Sequence, residues 1–178
     1  MPGLDEEYQI IEGCIANNRS AQEKLYRKFY PALILLCKRF FADDHIAIET
    51  LNDGMMKVYK HIVHYDSLKG NFFNWVYTII RNTALDKLKL NRWSPMLLTE
   101  DTDQPHTDNP LKTLEEQDIY TLLDELAPAT RVVCSLYYLE GFSIKEITGK
   151  LQLSTGTVKW HLSETRKRLK PVLEKYYS

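Results

Sequence analysis

The sequence predicts an all-α protein. It should form two small helical domains, residues 1–93 and 113–178, joined by a flexible acidic linker over 94–112, with a helix-turn-helix in the second domain. Three observations predict this. Apolar residues recur at steps of three and four along most of the 178 residues, and strand-length alternation is rare. Ser20 with Glu23, and Ser143 with Glu146, have the spacing of capping boxes, which mark helix starts. Between the two helical blocks the composition changes. The stretch "SPMLLTEDTDQPHTDNPLK" carries three prolines and many acidic or small polar residues, the signature of a linker.

The first helix is expected to start near Asp5 and to fray at "NNRS", Asn17 to Ser20. A second follows, with Leu25, Phe29, Leu33, Leu36 and Phe40 along one side and Pro31 inside it, where a proline should bend it. "ADDH" opens a third. Its stripe of Ile48, Leu51, Met55, Val58 and Ile62 is predicted to face the core, with Glu49, Asn52, Asp53, Met56 and Lys60 opposite. After "HYDSLKGN" a fourth helix should run from about Phe72 to Trp93. Phe72, Val76, Ile79, Ile80, Thr83 and Leu88 can face its core side, while Trp75, Asn82, Asp86 and Lys89 share another face. The second block begins near Thr113. Leu122, Leu123, Leu126, Val132, Val133, Leu136 and Tyr137 supply its apolar surface, with a break at "LAPAT".

The segment "SIKEITGKLQLSTGTVKWHLSETRKRLK" reads as a short capped helix ending near Gly149, a tight turn plugged by Leu153, and a longer helix capped by Ser154. In the longer helix Val158, Leu162, Thr165 and Leu169 fall on one face. Gly156, Trp160, Ser163 and Lys167 fall on the other, flanked by Lys159. Two short helices with a tight turn let the second lie in a DNA major groove with its early residues at base edges. Lys159 can meet base acceptors or phosphate, and Arg166, Lys167 and Arg168 can neutralise phosphates. A charge run more often coats an ordinary solvated helix. Here turn spacing, cap and basic terminus coincide, which favours DNA.

Bulk composition narrows the classes. Formal net charge is −1, which excludes a uniformly basic nucleic-acid binder. Charge is instead segregated: Thr99 to Glu125 is acidic with Lys112 its only basic residue, whereas Arg81 to Arg92 and Lys159 to Lys170 are basic. Cys14, Cys37 and Cys134 are scattered among apolar residues without metal-ligand spacing, as buried thiols of a reducing compartment would be. The N-terminus lacks a signal-type apolar core, and the longest apolar run, "PALILLC", is too short for a membrane span. The expectation is a cytoplasmic protein without membrane contact, metal or cofactor. Asp43, Asp44, His45, His61 and His64 could suggest an acid–base or metal site, but the aspartates read better as helix caps and the two later histidines as a helix end. No enzyme is expected.

With these motifs in place, the chain resembles sigma factors of the extracytoplasmic-function (ECF) group of the sigma-70 family. "LLDELAPATRVVCSLYYLEGFSIKEITGKLQLSTGTVKWHLSETRKRLK" resembles their C-terminal domain, and "IIRNTALDKLK" their promoter-melting helix, where an aromatic-Arg-Asn-x-x-x-Asp pattern is usual. "ETLNDGMMKVYKHI" resembles their polymerase-docking helix and "EKLYRKFYPALILLCKRF" the opening helix of their first domain. The likeness covers nearly the whole chain in order. It implies partners: core RNA polymerase, promoter DNA and a cognate anti-sigma factor.

The resemblance also assigns residues. Glu49, Asn52, Asp53 and Lys57 would bind the polymerase clamp. Asn82, Asp86, Lys87, Lys89 and Arg92 would take the −10 element as it opens, with Trp93 a stacking surface. Thr155, Gly156, Lys159, Trp160, His161, Ser163, Arg166 and Lys167 would read the −35 element. The acidic linker would thread toward the active-site and RNA-exit region. Two departures stand out. Glu49 and Asn52-Asp53 replace the usual Asp and Gln-Glu, and Trp160-His161 replaces the common Ser-Arg, so −35 preference is not inherited. The rival reading is a helix-turn-helix regulator that is not a sigma subunit.

Overall fold

The computed structural model describes residues 2–90, 119 and 122–176, and among these there is no strand. The linker 94–112, Arg92, Trp93 and the expected helix start near Thr113 lie outside the described residues. Two compact units are present. One comprises 1–38 with 43–87; the other comprises 39–42 with the described residues from 88 onward.

The first unit is built on α1 (Pro2–Ile15), α2 (Arg19–Phe40), α3 (Asp44–His61) and α4 (Phe72–Leu90). Asn17 ends the first turn in the left-handed region, at φ 56°. That reversal moves the cap of α2 upstream: Asn18 Oδ1, not Ser20, accepts from the Ala21 amide at 3.2 Å. Glu23, expected in a capping box, pairs with Arg27 at 2.8 Å instead. α2 continues through Pro31, which removes the donor for the Arg27 carbonyl. Leu25, Phe29, Leu33, Leu36 and Phe40 are all buried, as their spacing predicts.

α3 starts where Asp43 accepts from the His45 and Ile46 amides, at 2.8 and 3.1 Å. Its inward face is Ala47, Thr50, Leu51, Gly54, Met55 and Val58. Ile48, expected in that stripe, is 38% exposed, because Ala47 takes the inward position one residue earlier. Small residues there let a neighbour approach. A Cβ on Gly54 would stand 2.5 Å from Ile80 Cδ1 and 3.3 Å from Ile80 Cα, so α3 and α4 close on each other at the one position without a side chain. α4 is capped by Asn71, whose Oδ1 accepts from the Asn74 amide at 2.8 Å. It buries Phe72, Val76, Ile80, Thr83, Ala84, Leu85 and Leu88.

The second unit contains α5 (Pro128–Cys134), a wide π turn at Ser135–Leu139, α6 (Ile144–Leu151) and α7 (Thr155–Tyr176). Pro128 stands in the first turn of α5, where its missing amide costs nothing. The π turn shifts the helical register by a residue. Tyr138 is therefore buried and Tyr137, expected inward, is only half-buried. Leu122, Leu126, Val132, Leu136, Ile147, Leu151, Val158 and Leu169 form the core.

The Gly54 approach is testable. Gly54→Val should destabilise the first unit by about 1–3 kcal/mol through overpacking, despite valine's better helix propensity. Ile80→Val, which removes the Cδ1 atom, should recover part of the loss. Urea titrations of the two single variants and the double variant check this; strictly additive losses would show that the two positions do not meet.

Candidate nucleic-acid and protein interfaces

The outward face of α3 is polar and continuous. Glu49, Asn52, Asp53, Met56, Lys57 and Lys60 are all exposed, Met56 at 67%. The same helical turn that buries Leu51, Met55 and Val58 forces these residues outward. Asn52 is oriented by Tyr26, whose hydroxyl donates to its Oδ1 at 2.9 Å. Met56 and Ile48 add apolar area beside the carboxylates, giving a surface suited to a basic protein partner with some apolar contact.

On α4, Asn82, Asp86 and Lys89 are exposed. Lys87 is different. Its side chain is only 17% exposed, and its ammonium lies 2.9 Å from Glu49 and 3.5 Å from Asp53. It also lies close enough to Cys37 to oppose, through its charge, the burial that pushes that thiol up to about 12. A residue expected on the −10 surface thus pairs with two expected on the polymerase surface. Arg92 and Trp93 lie outside the described residues.

A feature missed at sequence level sits between α3 and α4. A cavity of about 300 Å³ is lined by His64, Tyr65, Asp66, Asn71, Asn74 and Trp75, among others. Trp75 stacks on buried Phe72, with ring centroids 5.9 Å apart, and leans on Tyr65 at 5.7 Å. The Tyr65 hydroxyl donates to the Gly70 carbonyl at 3.0 Å, and Asp66 accepts from the Leu68 amide at 3.0 Å, so the loop is held open by its own bonds. Gly70, at φ 150° and ψ 171°, occupies backbone space open essentially to glycine alone. Aromatic walls with amide groups at the rim suit a planar heteroaromatic ring. The signal was present: "HYDSLKGN" joins Tyr65 to Asn71, and Trp75 follows one turn on. The His61 ring lies 6.2 Å from that of His64, centroid to centroid.

In the second unit the turn between α6 and α7 is locally determined. Ser143 and Glu146 form the full capping box, with the Ser143 amide donating to Glu146 Oε2 at 2.8 Å and the Glu146 amide donating to Ser143 Oγ at 3.3 Å. The Ser143 hydroxyl, which also donates to Glu146 Oε2 at 2.7 Å, and then the Ser143 amide hold the exposed Glu146 carboxyl below its usual range. The helix runs through Gly149, expected near its end, and is closed by Gln152 in the left-handed region. The amides of Gln152 and Leu153 both donate to the Thr148 carbonyl. Ser154 then caps α7, accepting from the Thr157 amide at 3.0 Å. Val158, Leu162, Thr165 and Leu169 are buried as expected.

Of the candidate −35 contacts, Thr155, Gly156, Lys159 and Lys167 are exposed, while Trp160, Ser163 and Arg166 are half-buried. The expectation for His161 needs correcting. It is 2% exposed, three residues after Val158 and four before Thr165, and so points into the core. Its Nδ1 lies 3.0 Å from Thr130 Oγ1 of α5, and burial holds its imidazole down at about 4. Trp160 packs against the His161 ring in a T-shape at 5.0 Å. The Arg166 guanidinium lies close enough to Tyr138 to oppose, through its charge, the burial that pushes that phenol up. Arg168 pairs with Glu164 at 2.8 Å.

The described parts are two helical units. One offers an exposed polar face, with Glu49 and Asp53 beside Lys57 and Lys60, and an aromatic cavity; the other offers a capped helix-turn-helix with a basic outer side. Comparison with known proteins gives the family. Residues 25–94 match the family profile described as Sigma-70 region 2, and residues 116–169 match Sigma-70, region 4. The chain is 28% identical over 163 residues to the ECF RNA polymerase sigma factor SigE of Mycolicibacterium smegmatis, covering 88% of this chain but only 63% of that protein. It is 24% identical over 153 residues to the ECF RNA polymerase sigma factor SigM of Bacillus subtilis, covering 83% and 92%. A solved structure of the sigma factor RpoE in complex with the anti-sigma factor NepR from Bartonella quintana aligns at TM-score 0.46 and 20% identity, over 85% of this chain and 96% of that one. The two profiles together match more than half of the chain, which belongs to the sigma-70 family, in its ECF group.

The buried imidazole makes stability depend on pH. Unfolded, His161 titrates near 6.5; folded, at about 4. Between these values the unfolded chain binds the extra proton, so stability is full above pH 6.5 and falls as pH drops toward 4, by on the order of 3 kcal/mol at most. His161→Gln should flatten this slope in the transition of the second unit. An NMR titration showing the His161 ring protonating near 6.5 in the folded protein would contradict it.

Proposed function

We propose that the chain binds core RNA polymerase and directs it to promoters, with residues 1–93 serving the polymerase and the −10 element and 113–178 reading the −35 element. The carrying observation is the exposed α3 face. Glu49, Asn52, Asp53 and Lys57 are all turned away from a fully buried stripe, which is the posture of residues reserved for a partner. Carboxylates there suit a basic clamp surface. Asn82, Asp86 and Lys89 on α4, with Arg92 beyond the described residues, would track the opened −10 strand. The cavity around Tyr65 and Trp75 would take one unstacked base, exchanging its stacking on neighbours for stacking on aromatic side chains. Lys159, Trp160 and Lys167 on α7 would meet the −35 duplex in the major groove, with Arg166 reaching phosphate from its place beside Tyr138. None of this asks the chain itself for bond-making chemistry.

Among the described residues no helix is long and apolar enough to cross a membrane. The working site on this reading is the cytoplasm, with polymerase. A cognate anti-sigma factor is the further partner we propose, and its natural target is the α3 face that polymerase would need.

Run-off transcription with core polymerase tests the reading, and sequencing the starts reveals both promoter elements. DNA binding without polymerase-dependent initiation would favour a plain helix-turn-helix regulator. Asp53→Lys should weaken core-polymerase binding by about 2 kcal/mol or more while −35 DNA binding by the second unit persists. Unchanged affinity in a native titration would remove α3 from the interface. Lys159→Ala should weaken DNA binding evenly across sequences and lower the salt slope by about one. Trp160→Ala should change the preferred −35 sequence, by roughly 1–3 kcal/mol at one step. An unaltered profile in a randomised −35 selection would confine Trp160 to packing on His161.

A further inference from the structure

Lys87 occupies an unusual position for a cation on a DNA-facing helix. Its stem is covered, being 17% exposed, and its ammonium bridges two carboxylates of another helix that are themselves open, Glu49 at 64% and Asp53 at 56%. A pair this exposed on one side stabilises the fold by only about 0–1 kcal/mol. It does, however, occupy the two acidic groups that the proposed function reserves for polymerase. A basic partner approaching α3 must compete with Lys87 for them. Once the partner's cations take the carboxylates, Lys87 keeps its anchored stem and loses its counter-charges. Its neighbours on α4 are Asp86 and Lys89, both exposed.

We propose that Lys87 is a positioning residue shared by two surfaces. In the free chain it holds Glu49 and Asp53; when polymerase takes those carboxylates, its ammonium is released to the phosphates of the −10 strand. This rests on the proposed polymerase and −10 roles. It goes beyond them by making polymerase binding a condition for full basic charge on α4. The coupling needs no large movement, only a change of partner by one side chain whose stem stays packed. It is reciprocal: DNA on Lys87 frees the carboxylates and favours the polymerase contact.

The test uses the full chain with core polymerase. Lys87→Met keeps the length and packing of the stem and removes the charge. It should bind core polymerase about two- to fivefold more tightly, because the carboxylates no longer have an internal competitor. The resulting holoenzyme should open promoters less well, and the salt slope of its promoter complex should fall by about one. Lys87→Arg should restore both values toward wild type. In a Glu49→Gln, Asp53→Asn background, Lys87→Met should give no gain in core affinity. A merely structural lysine predicts weaker binding to both partners together, and a plain DNA contact predicts unchanged core affinity; either result overturns the proposal. If Lys87→Met melts below assay temperature, the charge-neutralised background still decides. Glu49→Gln with Asp53→Asn should let the chain bind a single-stranded −10 oligonucleotide more tightly, and adding Lys87→Arg should preserve that gain. No gain there overturns the proposal too. Wild-type chain in the same titration separates the two levels. If it fails to bind core polymerase, the proposed function falls and this inference with it; if it binds and the variants show no opposition of signs, only the inference falls.

Discussion

The approach of α3 to α4 at Gly54 sets up much of the first unit. With no side chain at that position, the Ile80 backbone comes within van der Waals reach, and the two helices lie as close as their main chains permit. Two consequences follow from this one contact. The stripe Leu51, Met55 and Val58 is sealed against its neighbours, which fixes Glu49, Asn52 and Asp53 as the outward residues. The same pair of helices places Lys87 of α4 within 2.9 Å of Glu49. On the proposed roles, the packing of α3 against α4 sets the two charged surfaces side by side. Because interiors are close-packed, such a contact shifts as a unit rather than yielding gradually.

The second unit solves a different problem, that of holding α7 at a defined angle with few residues. It does so with local bonds. The Ser143–Glu146 box begins α6, Gln152 in the left-handed region ends it, and Ser154 begins α7 only two residues later. Each device satisfies backbone groups that a helix end leaves open. The tertiary tie is His161 on Thr130, which fixes α7 to α5 from beneath. A neutral imidazole serves here because either nitrogen can meet a hydroxyl, and the cost is sensitivity to acid. Trp160, lying against that ring, shares its rigidity.

Most of the architecture was legible in the sequence because it rests on period and caps. The stripes of α2 and α3, the Asp43 cap, the Ser143 box and the inward face of α7 all follow from spacing alone. The errors share a cause, since each depends on something spacing does not encode. Ser20 lost its capping role because Asn17 turned left-handed first. Tyr137 and Tyr138 exchanged places because a π turn adds a residue without marking the sequence. His161 looked like a contact because histidine is polar, but its register put it with Val158 and Thr165. Ile48 yielded to Ala47 because close helix packing favours the smaller residue. The cavity near Tyr65 and Trp75 was the larger omission. A loop that builds a pocket from its own hydrogen bonds looks, in sequence, like a simple break between helices.

Net charge of −1 is at first sight an odd property for a protein proposed to grip DNA at two places. The structure suggests how it serves. Two cations near the candidate DNA surfaces are engaged by carboxylates inside the chain: Lys87 with Glu49 and Asp53, and Arg168 with Glu164. Non-specific DNA affinity grows with the number of phosphates that cations can neutralise, and each cation held by an internal carboxylate contributes less until that pair is exchanged. A chain of this kind would bind DNA weakly alone and more strongly once a partner claims its carboxylates. On the proposed function that order matters, because a specificity subunit that coated the genome by itself would be withheld from polymerase. On the proposed function, near-neutrality, paired cations and exposed carboxylates on α3 are then one electrostatic arrangement, in which the protein partner comes first.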